Sequence, residues 1–441
     1  MALGGGTFTT MNKILPGTYI NFVSAPRASA ALSDRGIAAM PAEFDWGPEG
    51  AVFTVESGEF EKRSLELFGY PYTHEKLKGL RDLFRNIRKG YFYRLNTGGE
   101  PAKNDFATAL HPGTRGNSLR IVIEAAEAST EETPVYDVST WMDDTRIDLQ
   151  TVKTAAQLHD NAFVRFQAEA TLAATAGANL TGGTDGTAGD AAYQTFLDQI
   201  EPYTFHALGC LSDKPAVKAL FTAFTKRMRD ESGVKFQTVL HRYGQADYEG
   251  VISVENGLTG AADDTSAVWW TTGAQAGCAV NKSLTNRVYD GEFEIDTQYT
   301  QAQLEEGIQS GGFLLHRVGD ETRVLTDINT FVSATEERSS DFGSNQTIRV
   351  LDQIGNDIAA LFNTKYNGQV PNDAAGRVSL WNDIVRHHQQ LQTLRFSPSC
   401  FILSIRARNS GGISTLGARS SSSQVAAQWV LLIWNMGGSL R

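Results

Sequence analysis

Tyr193-Gln194-Thr195-Phe196-Leu197-Asp198-Gln199-Ile200, then Phe205-His206-Ala207-Leu208, then Val217 to Met228, then Phe236-Gln237-Thr238-Val239-Leu240, then Gly250-Val251-Ile252-Ser253-Val254, follow one another with short breaks. Tyr193, Phe196, Leu197 and Ile200 keep the three- and four-residue spacing of one helix face, as do Val217, Leu220, Phe221, Phe224 and Met228. The runs between them are short, apolar and strand-like. Helix and strand alternate, and that alternation predicts a mainly parallel sheet with helices on its faces. A small-residue helix is expected over Asp264 to Ala279. Phe313 to Arg317, Gly319-Asp320 and Arg323-Val324-Leu325 read as an added hairpin.

Working towards the N-terminus, residues 97–180 change character. Leu119-Arg120-Ile121-Val122-Ile123 and Asn161-Ala162-Phe163-Val164-Arg165-Phe166 alternate and are separated by turn residues, the pattern of a small all-β sandwich or partial barrel. Before it, Ala38 to Val55 reads as short strands. A helix is expected from Thr73, as N-cap, to Lys89, with Leu77, Leu80, Phe84 and Ile87 on its buried stripe and Gly90 as its stop. Tyr91 to Leu95 reads as a strand.

The first 25 residues hold a single strand-like run, Thr18-Tyr19-Ile20-Asn21-Phe22-Val23, on the loose leader Gly4 to Thr10. Ser24-Ala25-Pro26 ends the run without a hairpin signal. A lone strand on a tether cannot satisfy its own backbone, so it must pair with a distant part of its chain or with another molecule.

Towards the C-terminus two helices are expected, Phe342 to Tyr366 and Asp373 to Leu394, antiparallel across a link that contains Pro371. No Asp or Glu follows Asp383, although the chain has 50, and every basic residue beyond it is Arg. Such a stretch is either a solvated arm or a tail read in a shifted frame. Gln428-Trp429-Val430-Leu431-Leu432-Ile433-Trp434 is a nearly continuous apolar run of strand length and the candidate C-terminal arm.

The chain has 441 residues, 41% hydrophobic and 20% charged, and a formal charge of −11. That is the composition of a globular protein with several cores, and no basic block marks a nucleic-acid binder. Cys210, Cys278 and Cys400 are far apart and read as free thiols of a reducing compartment. No signal peptide is read at the N-terminus, and no apolar run approaches the ~20 residues of a membrane helix.

Chemical motifs fail one after another. Leu180 to Gly189 is Gly-rich and precedes a helix, but it has neither the Gly-Lys-Ser/Thr ending of a phosphate loop nor dinucleotide spacing, and reads as a linker. Gly412 to Leu416 misses the last glycine of a nucleophile elbow. His74-Glu75 has no second His. His387 and His388 project about 100° apart on a helix, one expected in the core and one at the surface. Asp143-Asp144 and Glu305-Glu306 lack calcium-loop spacing and read as solvated faces. Trp269-Trp270 reads as one core ring and one edge ring. No cofactor, metal site or catalytic set is expected.

Leu15 to Val23, Asp45-Trp46-Gly47-Pro48, Phe68-Gly69-Tyr70, Leu180 to Gly186, Tyr289-Asp290-Gly291-Glu292, Asp327-Ile328-Asn329-Thr330 and Arg349-Val350-Leu351-Asp352 together resemble the sheath protein of contractile phage tails, of the type of Gram-positive phages and prophages. The likeness runs from about Leu15 to Leu394. It implies a multidomain α/β plus β fold: an N-terminal arm for strand exchange (1–25), an N-terminal α/β part (26–96), a β-sandwich domain (97–180), a subtilisin-like α/β domain without a catalytic site (181–330), and an α+β C-terminal sheath domain with its arm (331–441).

The likeness also implies a non-enzymatic subunit that polymerises with itself, in six-fold rings, around a tail tube protein. Contraction would drive the tube through a bacterial envelope. Baseplate and tail terminator proteins would be further partners, in a virion tail assembled in the host cytoplasm, with neither nucleic-acid binding nor membrane insertion. Thr18 to Val23 would be the intersubunit strand. The competing readings are a hydrolase on the α/β domain and a receptor- or glycan-binding virion protein using residues 97–180.

Overall fold

A computed structural model describes residues 32–261, 264–336 and 338–393, and three strands beyond them. These form two compact units. One runs from Ser33 to Asn356; the other comprises Leu32 and the described residues from Asp357 on.

The first unit begins with β1 (Ile37–Ala42), β2 (Phe53–Glu56), α1 (Ser57–Phe68), α2 (Lys78–Phe84) and β3 (Lys89–Arg94). The expected helix over 73–89 is corrected. A single 3-10 turn at Glu75–Leu77 precedes α2, and it is capped by His74, not Thr73, through Nδ1 accepting from the Lys76 amide. The helix ends early because the Arg88 and Lys89 amides already donate to the Gly36 carbonyl, so the chain has entered the sheet and Gly90 lies inside β3. The helix α1 was not legible: only Phe60, Ser64 and Phe68 are buried along its twelve residues.

Next come β4 (Ala107–Ala109), β5 (Leu119–Ala125), β6 (Tyr136–Met142), β7 (Thr145–Val152), β8 (Val164–Phe166) and β9 (Thr175–Asn179). They form an antiparallel sheet in the order β7-β6-β5-β9 and a ribbon, β4-β8. Leu119, Ile121 and Ile123 alternate into one core with Val138, Met142 and Val164, as the period of two requires.

The α/β stretch gives α3 (Asp190–Ile200), β10 (Ala207–Gly209), α4 (Pro215–Lys226), β11 (Gln237–His241), β12 (Val251–Val254), α5 (Ala267–Gly277), α6 (Gln301–Gln309), β13 (Gly312–Phe313) and the hairpin β14 (Leu315–Val318) and β15 (Glu321–Val324). The main sheet runs β13-β12-β11-β10-β1-β3-β2 and is parallel except for β2. Residues before 96 and after 181 therefore share one sheet. Ala38, Met40 and Phe92 face a core with α2 and α5; Ala39, Tyr91, Tyr93 and Leu208 face another with α3 and α4. Trp270 is fully buried and Trp269 half-buried, as the sequence suggested.

Last come α7 (Asn345–Leu361), which passes into a π-helical turn at Phe362–Tyr366, α8 (Ala374–Thr393), and the strands β16 (Ile402–Asn409), β17 (Gly412–Arg419) and β18 (Val430–Trp434). The strands form an antiparallel sheet, β16-β17-β18. Over them, the reading of the tail as a solvated arm gives way to paired backbone. His387 corrects another expectation. Both histidines of the pair are buried, because the His388 Nδ1 bonds the Ile384 carbonyl within α8 while the His387 Nε2 reaches Asp357 Oδ2, each at 2.8 Å. Among the described residues no helix is long and apolar enough to cross a membrane.

Candidate functional site

The strand β1 lies between β3 and β10, so successive connections leave it in opposite directions. That is the switch point where open α/β sheets place ligands. A cleft of about 380 Å³ opens there, lined by Glu43, Phe44, Lys76, Leu211, Ser266 and Trp269. The nearest thing to catalytic geometry is a half-built relay at the ends of β10 and β11. His241 Nδ1 lies 2.9 Å from Asp213 Oδ1. His241 is 1% exposed, and its Nε2 is buried without a hydrogen-bond partner, so no hydroxyl stands where a nucleophile belongs. Among the described residues no cluster of metal-binding side chains occurs. Cys210 and Cys278 are buried free thiols, and burial pushes Cys210 up to about 12; Cys400 lies outside the described residues.

The chain's polar investment lies instead in mechanical joints. The first ties the antiparallel β-module to the main sheet. Two linkers cross, with antiparallel bridges Thr97–Thr187, Glu100–Thr184 and Lys103–Thr181. A Cβ at Gly186 would stand 2.0 Å from the Thr97 carbonyl oxygen, and one at Gly99 would stand 2.2 Å from that of Thr184. The Gly-rich 180–189 stretch is thus a linker, as read, and its glycines permit the crossing. Trp46, just past β1, is buried in the β-module's core and donates through Nε1 to the Glu66 carbonyl at 2.9 Å. Arg115 donates to the Gly69 carbonyl at 2.6 Å, pairs with Asp143 at 2.5 Å and lies over the Tyr70 ring. Asp143 and Asp144 are exposed, as read, and Arg115 holds the Asp143 carboxyl below the usual range against the opposing effect of burial. Arg94 is fully buried at the end of β3 and donates to the Pro112 carbonyl at 2.6 Å. Burial lowers its basicity, and Glu49 and Asp185 oppose that.

The second joint fixes the first half of α7. Arg229 Nη1 and Nη2 meet Asp352 Oδ2 and Oδ1 at 2.7 and 2.8 Å, a buried bidentate pair. One turn earlier, Arg349 meets Asp327 at 3.1 Å, the Lys282 carbonyl at 2.8 Å and Gln275 at 2.7 Å. Asp327 also accepts from Leu284 N, Gln275 and Asn345. Burial works to raise the Asp327 pKa, and Arg349 with these donors holds it down.

The third feature is the packing of Leu32 and the turn after α7 on α8. The Leu32 amide donates to Gln390 Oε1 at 3.2 Å. Leu32 therefore lies beside the last turn of α8, three residues before that helix ends. The turn after α7 is tied to α8 by Asp383, which accepts from Lys365 Nζ at 2.5 Å and Tyr366 OH at 2.6 Å. Of the strand residues named from sequence, Thr18, Tyr19, Ile20, Asn21, Phe22 and Val23 lie outside the described residues, as do Gln428 and Trp429. Val430, Leu431, Leu432, Ile433 and Trp434 form β18, paired with β17 from Arg419↔Val430 to Thr415↔Trp434. Among the described residues β16 and β18 pair on one side only, so both edges present unpaired backbone.

The sequence missed Trp46 as a joint, the buried arginines, and Leu32 with Gln390. Trp46, Asp327, Arg349 and Asp352 do lie in the stretches that carried the family resemblance, but nothing in those stretches said what each would pack against or pair with.

Comparison with known proteins follows the same division. Residues 35–95 match the family model described as tail sheath protein Gp18 domain III N-terminal region, 97–185 the phage tail sheath protein beta-sandwich domain, 186–330 its central domain and 337–396 its C-terminal domain. The phage-like element PBSX protein XkdK of Bacillus subtilis is 32% identical over 387 residues, covering 81% of each chain. The crystal structure of a sheath tail protein from Desulfitobacterium hafniense superposes with a TM-score of 0.78 at 33% identity, covering 95% of this chain and 100% of that one. One from Listeria innocua gives 0.74 at 26% identity, covering 91% and 95%. A mixed α/β multidomain fold and this descent make the molecule a structural sheath subunit; the chain belongs to the phage tail sheath protein family.

Proposed function

We propose that the subunit polymerises helically around a tail tube by strand exchange, and that contraction of the polymer drives the tube through a bacterial envelope. In this reading Thr18 to Val23 of one copy adds to a sheet in a neighbour, and Gln428 to Trp434 takes part in the same intermolecular pairing. The observation that carries it is the bond from the Leu32 amide to Gln390 near the end of α8, which supports a shared origin for the two segments. Six added residues make about four to six backbone bonds of about 1 kcal/mol net each, weak alone and effective when every copy gives and receives arms. Contacts that do not close propagate as a helix.

The domain roles follow: arm (1–25), N-terminal part (26–96), sandwich (97–180), an α/β domain of subtilisin-like topology (181–330) and C-terminal domain with arm (331–441). The unpartnered Nε2 of His241 supports a non-catalytic role for the α/β domain. The tube protein, baseplate and terminator are the other partners, in six-fold rings of a virion tail assembled in the host cytoplasm. Deleting Met1 to Val23 is expected to leave a folded subunit that forms no tubes by negative-stain electron microscopy. Normal tubes from the truncated chain would refute strand exchange.

A further inference from the structure

The sequence segregates its charge by position. The first carboxylate side chain is Asp34 and the last is Asp383, so all 50 lie between them. Residues 1–33 carry Lys13 and Arg27, and residues 384–441 carry six arginines, without a single Asp or Glu. At the chain's average density those 91 residues would hold about ten carboxylates. The two ends are therefore cationic, with eight basic side chains, and the body between them keeps 31 basic against 50 acidic residues, a formal −19. The boundaries of this segregation coincide with the root of the arms: Asp34 is two residues past Leu32, and Asp383 lies on α8 seven residues before Gln390.

We infer that the arms of one copy are held on the acidic bodies of neighbouring copies by charge as well as by strand pairing. The partner is a second copy of this chain, and the inference rests on the sheath reading above. The physical reason is twofold. Bodies of −19 repel when packed side by side, and that repulsion opposes any lattice unless counter-charge is delivered between them. An arm without carboxylates delivers it without meeting like charge anywhere along its length. Strand pairing by itself is insensitive to side-chain sign; adding long-range attraction raises the encounter rate and favours a neighbour's acidic body over other sheet edges. An attraction of this long-range kind weakens with ionic strength.

The test uses the full-length protein and sedimentable tubes, scored by electron microscopy. Tube yield is expected to fall at least tenfold as sodium chloride rises from about 50 to about 500 mM, where the screening length shortens to a few ångströms. A variant carrying Lys13→Gln, Arg27→Gln, Arg406→Gln, Arg408→Gln and Arg419→Gln is expected to need a severalfold higher concentration to assemble at low salt and to lose the salt response. The corresponding Arg→Lys variant, which keeps the charge, is expected to assemble like the parent; its failure alongside the Gln variant would assign the effect to packing and overturn the inference. Tubes that form equally at both salt concentrations and in both variants would also overturn it while leaving the sheath reading intact.

If no condition gives tubes, the strand-exchange polymerisation proposed above fails, and a fluorescent peptide of residues 1–31 added to the full-length protein decides the inference. Binding that is lost with salt supports it. No binding, or tighter binding to duplex DNA than to the protein, overturns it.

Discussion

Trp46 stacks on Phe163 with ring centroids 5.9 Å apart and planes 26° from parallel, although Trp46 leaves the main sheet and Phe163 belongs to the antiparallel β-module. One side chain thus belongs to two parts of the fold. Trp46→Ala would remove a fully buried ring, a loss of about 3–5 kcal/mol. The loss should fall on the joint. Hydrogen exchange at the amides of β5, Leu119–Ala125, is expected to speed up far more than at β11, Gln237–His241. Uniform acceleration across both strands would show that Trp46 is ordinary core.

The same joint carries a pH response. His111 packs edge-on to Trp46 at 5.2 Å; burial first, then Arg94 and Arg165, depress its pKa to about 4. The folded state refuses a proton that the unfolded chain accepts near pH 6.5. Stability from this group is therefore full above pH 7, falls as pH drops from about 6.5 to 4, and levels off below. With allowance for its partial exposure the loss is on the order of 1–2 kcal/mol. Denaturant midpoints between pH 7 and 4 should flatten in His111→Asn by that amount.

What the sequence revealed and what it hid divide along one physical line. Period-two and period-3.6 patterns in Tyr193 to Val254 report burial against the chain's own neighbours, and they predicted α3, β10, α4, β11 and β12 to within a few residues. The joints are made by residues whose type argues for the opposite environment. Arg94, Arg229 and Arg349 are each 4% exposed or less, and hydropathy places arginine outside. Only the carbonyls and carboxylates brought from distant segments make their burial tolerable. His387 was misplaced for a like reason: it lies off the helix face that carries Ile384, His388 and Leu391, which suggested water, and the Asp357 carboxylate satisfied it. The boundary at residue 96 marks a real change of pattern, but β1 and β3 pair with strands that lie beyond the β-module, and pairing across such a distance leaves no local trace.

The linker crossing gives a steric prediction. Gly186→Ala would place its methyl 2.0 Å from the Thr97 carbonyl oxygen, which belongs to backbone and cannot swing away. The expected cost is about 1–3 kcal/mol. Gly189→Ala, a few residues on, meets nothing within 4 Å and should be neutral. Thermal melts of the pair would check this; equal melting temperatures would contradict the close approach.

The clamp on α7 separates pairing from burial. Burial acts to lower the Arg229 pKa, and the charge and hydrogen bonds of Asp352 outweigh it, so the guanidinium stays charged at any ordinary pH. Asp352→Asn would leave that charge buried with a neutral partner, at a cost of about 3–5 kcal/mol. Arg229→Met together with Asp352→Leu removes both charges and keeps volume, and should recover most of the loss. If the pair serves stability alone, the apolar variant should equal the parent in every assay. If it fixes the orientation of the first half of α7, the apolar variant should melt like the parent yet assemble less well, because apolar contact is non-directional whereas two parallel N–H···O bonds fix orientation. The clamp's position, one turn from the Arg349–Asp327 pair on the same helix, favours the second outcome. Denaturation midpoints and tube yields measured on the same preparations would decide it.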